Sequence, residues 1–243
     1  MFNGLGSALA ENVIFVVEFL LIIAALFVVA YLVEINVRKK DGNSEKILST
    51  RMITVVGMFS AIAAVLMLFE IPLPFAPSFY KLDFSELPAL IGAFAFGPVA
   101  GVLIEFIKIV LKLLIKGTST AFVGELANFV VGCSFILPAS IIYEIKKNKK
   151  SALVGCVVGT VILTFVGTSF NAVYLLPKFA ELFGMPLDVI IGMGTEINPN
   201  ITNISSFVIF AVAPLNIIKG VLNSVVTILI YKKLSPILKK SNK

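Results

Sequence analysis

Apolar residues gather along this chain in seven runs, at 13–36, 52–69, 84–96, 99–115, 120–144, 151–177 and 207–232, separated by short polar or basic segments. A helix crossing hydrocarbon needs about 20 such residues, and most of these runs have that length. The pattern predicts an all-α polytopic membrane protein. The first run is too long for the core of a cleaved leader, has no basic segment before it and no small-residue cleavage site after it, so it is read as a spanning helix.

Basic residues mark the faces of the membrane. Arg38, Lys39, Lys40, Lys46 and Arg51 form one cluster, Lys146, Lys147, Lys149 and Lys150 a second, and Lys232, Lys233, Lys239 and Lys240 a third. Placing all three in the cytoplasm alternates correctly only if the runs at 84–96 and 99–115 both cross, with Gly97-Pro98 as a tight cytoplasmic turn. The N-terminus is then outside and the C-terminus cytoplasmic. The two long outer connections, 70–83 and 178–206, are rich in aromatic residues or in Asn, Gly and Pro, as expected of loops that cover an outward-facing cavity. Anchoring of Phe75, Phe79 and Tyr80 at the lipid interface is the alternative.

Composition narrows the function. The chain has 243 residues, 58% of them apolar, and no histidine, which removes serine–histidine and cysteine–histidine catalysis and disfavours a metal site. Cys133 and Cys156 both fall inside predicted spans, where they read as packing residues. The net charge of +6 comes from the flanking clusters, so it signals orientation in the lipid bilayer and not nucleic-acid binding. No P-loop is visible, and the chain is read as a non-enzyme.

The polar residues inside the spans carry the chemistry. Asn216, Lys219, Asn223 and Thr227 share one face of the last helix. A lysine deep in a span costs roughly 2.5–3.5 kcal/mol unless it snorkels or is paired, and its depth here depends on whether the helix starts near Phe207 or at Pro214. Glu125 and Asn128 lie three apart in "GELANFVVG", and Gly124, Asn128 and Gly132 share a face. Thr160, Thr164, Gly167, Thr168 and Asn171 trace another, leading to the outer end of their helix. Glu105, Lys108 and Lys112 align on one side of 99–115, with Glu105–Lys108 read as an internal pair. The run at 52–69 has two small-residue registers, Gly57 with Ala61 and Ser60 with Ala64, either of which suits close helix packing.

Five stretches, "LFEIPLPFAPSFYKLDFSELPALIGAFAFGPVAGVLIEFIK", "GELANFVVG", "LLPKFAELFGMP", "INPNI" and "APLNIIKG", resemble in order the riboflavin-specific S components of energy-coupling factor (ECF) vitamin transporters. The likeness covers about residues 52–240. It implies a six-helix S-component substrate-binding domain at 51–243, preceded by one extra N-terminal transmembrane helix and cytoplasmic linker at 1–50. It also implies a cell-membrane subunit that captures riboflavin, as transported ligand and not cofactor, and docks on an EcfT protein carrying two ATPases. By the resemblance, the polar flavin contacts fall on Asn128, Asn216 and Lys219, and the 70–83 loop with Phe79 and Tyr80 helps close the site. Glu125, as a partner for Lys219, and Asn171 complete the candidate set. The small residues Gly57, Ala61 and Ala64 resemble the surface used to dock on EcfT.

The chemistry agrees with such a ligand. Riboflavin has an imide edge, ring carbonyls, ribityl hydroxyls and an apolar dimethylbenzene end; asparagine matches an imide with donor and acceptor, and lysine supplies donors to oxygen. Thiamine, biotin or FMN as ligand, a self-sufficient vitamin carrier, and a membrane enzyme with an acidic cluster at Glu70, Asp83 and Glu86 are the alternatives. A carrier would show inverted repeats, which are not visible.

Overall fold

The computed structural model describes residues 13–40, 42, 46–118, 120 and 122–239. Among the described residues, ten α-helices and one two-stranded ribbon follow in order. Helix α1 spans Val13–Lys40 and ends in Arg38, Lys39 and Lys40. Helix α2, Thr50–Leu68, starts at Ser49, whose hydroxyl caps the Met52 amide. The outer connection then forms a short antiparallel ribbon, β1 (Ile71–Pro72) with β2 (Lys81–Leu82), before α3 (Glu86–Phe96) and α4 (Pro98–Lys116). Helix α5 is Val123–Lys146 and α6 is Lys149–Phe170; α6 continues through a π-turn at Asn171–Leu175 into α7, Leu176–Phe183. Helix α8 is Leu187–Thr195, and α9, Ile204–Phe207, passes through a second π-turn at Val208–Val212 into α10, Ala213–Lys239.

Two expectations need correction. Helix α3 has 11 residues, about 16 Å of rise, so it does not cross 30 Å of hydrocarbon by itself. The stretch at 178–206 is not a long loop: α7 and α8 fill most of it, and the π-turned helix that begins at Ile204 runs on without interruption past Pro214. The π-turns accommodate two prolines that the helices run past. Pro177 and Pro214 each sit two residues beyond a π-turn. A proline has no amide hydrogen and its ring crowds the carbonyl four residues earlier, and the wider turn relieves both. Among the described residues, five helical segments are long and apolar enough to cross a membrane: Val16–Lys40, Thr50–Leu68, Val123–Lys146, Lys149–Phe183 and Ile204–Lys233.

Gly97 makes the expected turn between α3 and α4, with φ of 104° and Pro98 at the first helical position. Glu34 of α1 lies against this turn. Its carboxylate accepts from the Val99 amide at 2.9 Å and from Arg38 at 2.8 Å, tying α1 to the core. Helices α2, α3, α4, α5, α6 and α10 pack into the bundle, while α1 lies along α4 and α5. Gly155 and Gly159 bring α6 onto the backbone of α5: a Cβ at either position would stand 2.5 Å from the Ala139 carbonyl oxygen or 2.7 Å from that of Phe135. Cys133 and Cys156 are buried free thiols, as expected of packing residues.

The two registers on α2 face opposite ways. Ser60 and Ala64 are buried, and the Ser60 hydroxyl donates to the Val56 carbonyl at 2.6 Å. Gly57 and Ala61 are exposed beside Met58, Ile62 and Val65, with nothing within 4 Å of a Cβ built on Gly57. Ala64 therefore leaves the expected docking set, because its methyl group already packs in the core. Of the C-terminal basic cluster, Lys240 lies outside the described residues.

Candidate functional site

One cavity opens where the outer connection meets α5, the π-turn after α6, α7 and α10. Its empty space is about 760 Å³, the open solvent at its mouth included. Phe79, Tyr80, Asn128, Asn171, Asn216 and Lys219 all line it, together with Lys81 and Phe179. Six of the seven expected ligand-binding residues thus converge on one space. Glu125 is the exception.

The outer wall is aromatic. The Phe79 ring stacks on Phe179 of α7 with centroids 5.4 Å apart and contacts Tyr80 at 4.7 Å. Phe179 in turn stacks on Phe183 at 4.4 Å. Flat walls of this kind match a planar aromatic ligand. The Tyr80 hydroxyl donates to Asn171 Oδ1 at 2.6 Å, fastening the outer connection to the π-turn after α6. Burial pushes the Tyr80 phenol far above its ordinary value, so it stays a neutral donor.

The inner wall is polar. Asn216 is 2% exposed, and its Nδ2 has no hydrogen-bond partner among the described residues. The Nδ2 packs against Gly167 of α6, and a buried amide hydrogen left unpaired costs about 1–3 kcal/mol. Asn128 Nδ2 donates to the Gly124 carbonyl at 2.9 Å, which turns its Oδ1 toward Lys219 at 3.5 Å. Lys219 follows Ile204 by fifteen residues of continuous helix, about 22 Å of rise, so the deeper of the two expected starting points holds.

Lys219 is not paired with Glu125, the partner expected from the sequence. Its ammonium lies 2.8 Å from Glu86 Oε1 and 3.4 Å from Asp83 Oδ2. The same Glu86 oxygen accepts from Lys108 at 3.2 Å, and Lys108 also donates to Ser85 at 2.8 Å and to Glu105 at 2.9 Å. Asp83, Glu86, Glu105, Lys108 and Lys219 form one buried network of three acids and two bases. Glu125 belongs to another: Lys112 donates to one of its oxygens, Thr118 and Thr120 to the other at 3.0 and 3.2 Å. Burial alone would raise Asp83, but the charges of Lys219 and Lys108 and the bonds from Ser85 outweigh it and hold the carboxyl below its ordinary range.

Sequence reasoning missed Asp83 and Glu86 because they border an outer connection and read as surface acids. The available signal was the demand side: lysines at 108 and 219 inside apolar runs need acids, and these two lie in the segment that leads into α3. Phe179 was missed because its segment read as loop.

Residues 51–231 match the family model for "ECF transporter, substrate-specific component". The chain belongs to this family. Among its relatives, the "Riboflavin transporter RibU" of Staphylococcus aureus (strain TCH60) is 37% identical over 190 residues, covering 78% of this chain and 93% of that protein. The "Riboflavin transporter FmnP" of Bacillus subtilis (strain 168) is 34% identical, with coverage of 78% and 94%. A solved structure described as "Structure and mechanism of the S component of a bacterial ECF transporter" superposes with a TM-score of 0.61 at 36% identity, over 78% of this chain and 98% of that one. The chain is thus a multi-pass membrane S component, and the stretch matched by the family model begins after α1.

Proposed function

We propose that this S component captures riboflavin from outside the cell and hands it to an EcfT protein with two ATPases for ATP-driven import. The observation that carries the reading is the pairing of an unpartnered Asn216 amide with Asn128 and Lys219 at the inner end of a cavity walled by Phe79 and Phe179. An imide edge and ring carbonyls would meet those donors and acceptors, and the ring system would lie along the aromatic wall. The names of the relatives point to the same ligand. Asn171, fixed by Tyr80, completes the polar rim, while Glu125 serves the fold around Lys112.

The N-terminus lies outside and the C-terminus in the cytoplasm in this reading, which puts the cavity mouth outside. Docking on EcfT uses the exposed Gly57 and Ala61 face of α2. The chain itself carries out no chemistry; the energy comes from the partner ATPases. The test is uptake of labelled riboflavin into proteoliposomes. Accumulation that needs this chain, the EcfT–ATPase module and ATP together supports the reading, and uptake by this chain alone would overturn it in favour of a self-sufficient carrier.

A further inference from the structure

Lys219 has three acceptors within reach but holds only one of them closely. Glu86 Oε1 lies at 2.8 Å, whereas Asp83 Oδ2 and Asn128 Oδ1 stand at 3.4 and 3.5 Å, beyond the usual 2.7–3.2 Å of an N–H···O bond. Glu86 therefore holds the ammonium most closely, and the contacts to Asp83 and Asn128 are longer. Asp83 is also the residue after β2, the strand that ends the ribbon carrying Phe79 and Tyr80. Its other oxygen accepts from the Ser85 amide at 2.8 Å, so its carboxylate is locked to the start of α3 and cannot follow Lys219 freely.

We propose, building on the flavin reading, that Asp83 and Glu86 are positioning residues for the ligand, acting through Lys219. Glu86 holds the ammonium in the cavity, and Asp83 ties it to the base of the outer connection that covers the bound molecule. Neither acid lines the cavity. Their effect on binding passes through the lysine and includes the rate at which the outer connection lets the ligand go. Glu86 Oε1 also serves Lys108, so a shift of that oxygen away from one lysine disturbs the other.

The experiment is stopped-flow quenching of riboflavin fluorescence by the full chain in detergent, for wild type, Asp83→Asn, Glu86→Gln, Lys219→Gln and the two double variants with Lys219→Gln. The expected result is that each acid substitution weakens binding roughly tenfold, mainly through faster dissociation, and by less than about twofold once Lys219 is already Gln. Full additivity in the double variants overturns the proposal, because it means that the acids act on the fold and not through the lysine. Wild-type affinity in both single variants overturns it as well. If wild type itself fails to quench, the flavin reading falls and takes this inference with it, an outcome distinct from additivity. Should Glu86→Gln not yield folded protein, the isosteric Asp83→Asn pair carries the test alone, since it removes one long contact and leaves the Lys108 bonds in place.

Discussion

Gly167 of α6 faces Asn216 of α10 so closely that a single added methyl group reads out the asparagine's role. A Cβ at position 167 would stand 2.5 Å from Asn216 Nδ2 and 3.1 Å from its Cγ, against the 3.4–4 Å of ordinary contact. The obstructing atom is the end of a side chain and not backbone, so Gly167→Ala turns the amide aside by about 1 Å without parting the helices. Alanine is also the better helix former by about 1 kcal/mol, which favours retention of the fold. The ligand then loses one buried hydrogen bond, worth about 1–3 kcal/mol, or roughly 5- to 150-fold in affinity. Fluorescence titration with riboflavin, run beside thermal unfolding, measures both halves. Gly57→Ala, which meets nothing within 4 Å, serves as the control with unchanged affinity. A folded Gly167→Ala protein that binds riboflavin within twofold of wild type would refute the assignment of Asn216 to the ligand.

Other outcomes follow from the same geometry. Ala61→Leu, on the exposed face of α2, should leave flavin binding intact and abolish ATP-driven uptake, whereas Ala64→Leu, at 1% exposure, should destabilise the isolated protein by about 1–3 kcal/mol. Lys108→Met strips the shared counter-charge from Glu86 and Glu105 and should cost about 3–5 kcal/mol in unfolding measurements in detergent. For Glu70, burial raises the carboxyl, but the hydrogen bonds and charges of Lys81 and Lys116 outweigh it and leave it lowered from 4.5, as Asp83 is lowered from 3.8. A carboxyl lowered in the folded state stabilises fully above its unfolded value and loses that contribution as pH falls through the folded one. The melting temperature should therefore be flat from pH 7 to about 5 and fall below about pH 4, with a smaller fall in Asp83→Asn.

The polar stripe on the last helix was legible because periodicity alone places Asn216, Lys219 and Asn223 together, and all three are buried on α10. Asn128 was joined to that stripe through family resemblance and Asn171 was picked out by the polar face of its own helix, since contacts between residues 91 positions apart leave no local trace. The partner of Lys219 could not be read in the same way. Glu125 lies three residues from Asn128 and was the nearer candidate along the chain, yet on α5 it points to Lys112 and its two threonines. Choosing between the α2 registers likewise needed the packing: Gly57–Ala61 and Ser60–Ala64 have equal spacing, and only the burial of Ser60 separates them. The π-turns were illegible because a proline in an apolar run reads as a break, while here the wider turn lets the helix pass.

The most direct test of the central claim is a riboflavin fluorescence titration of the purified full chain against Asn216→Ala and Lys219→Ala. The expected result is saturable quenching at one flavin per chain, weakened roughly 5- to 150-fold in either variant while the melting temperature without ligand holds. Quenching that is absent in the wild type, or equally strong in all three proteins, would contradict it.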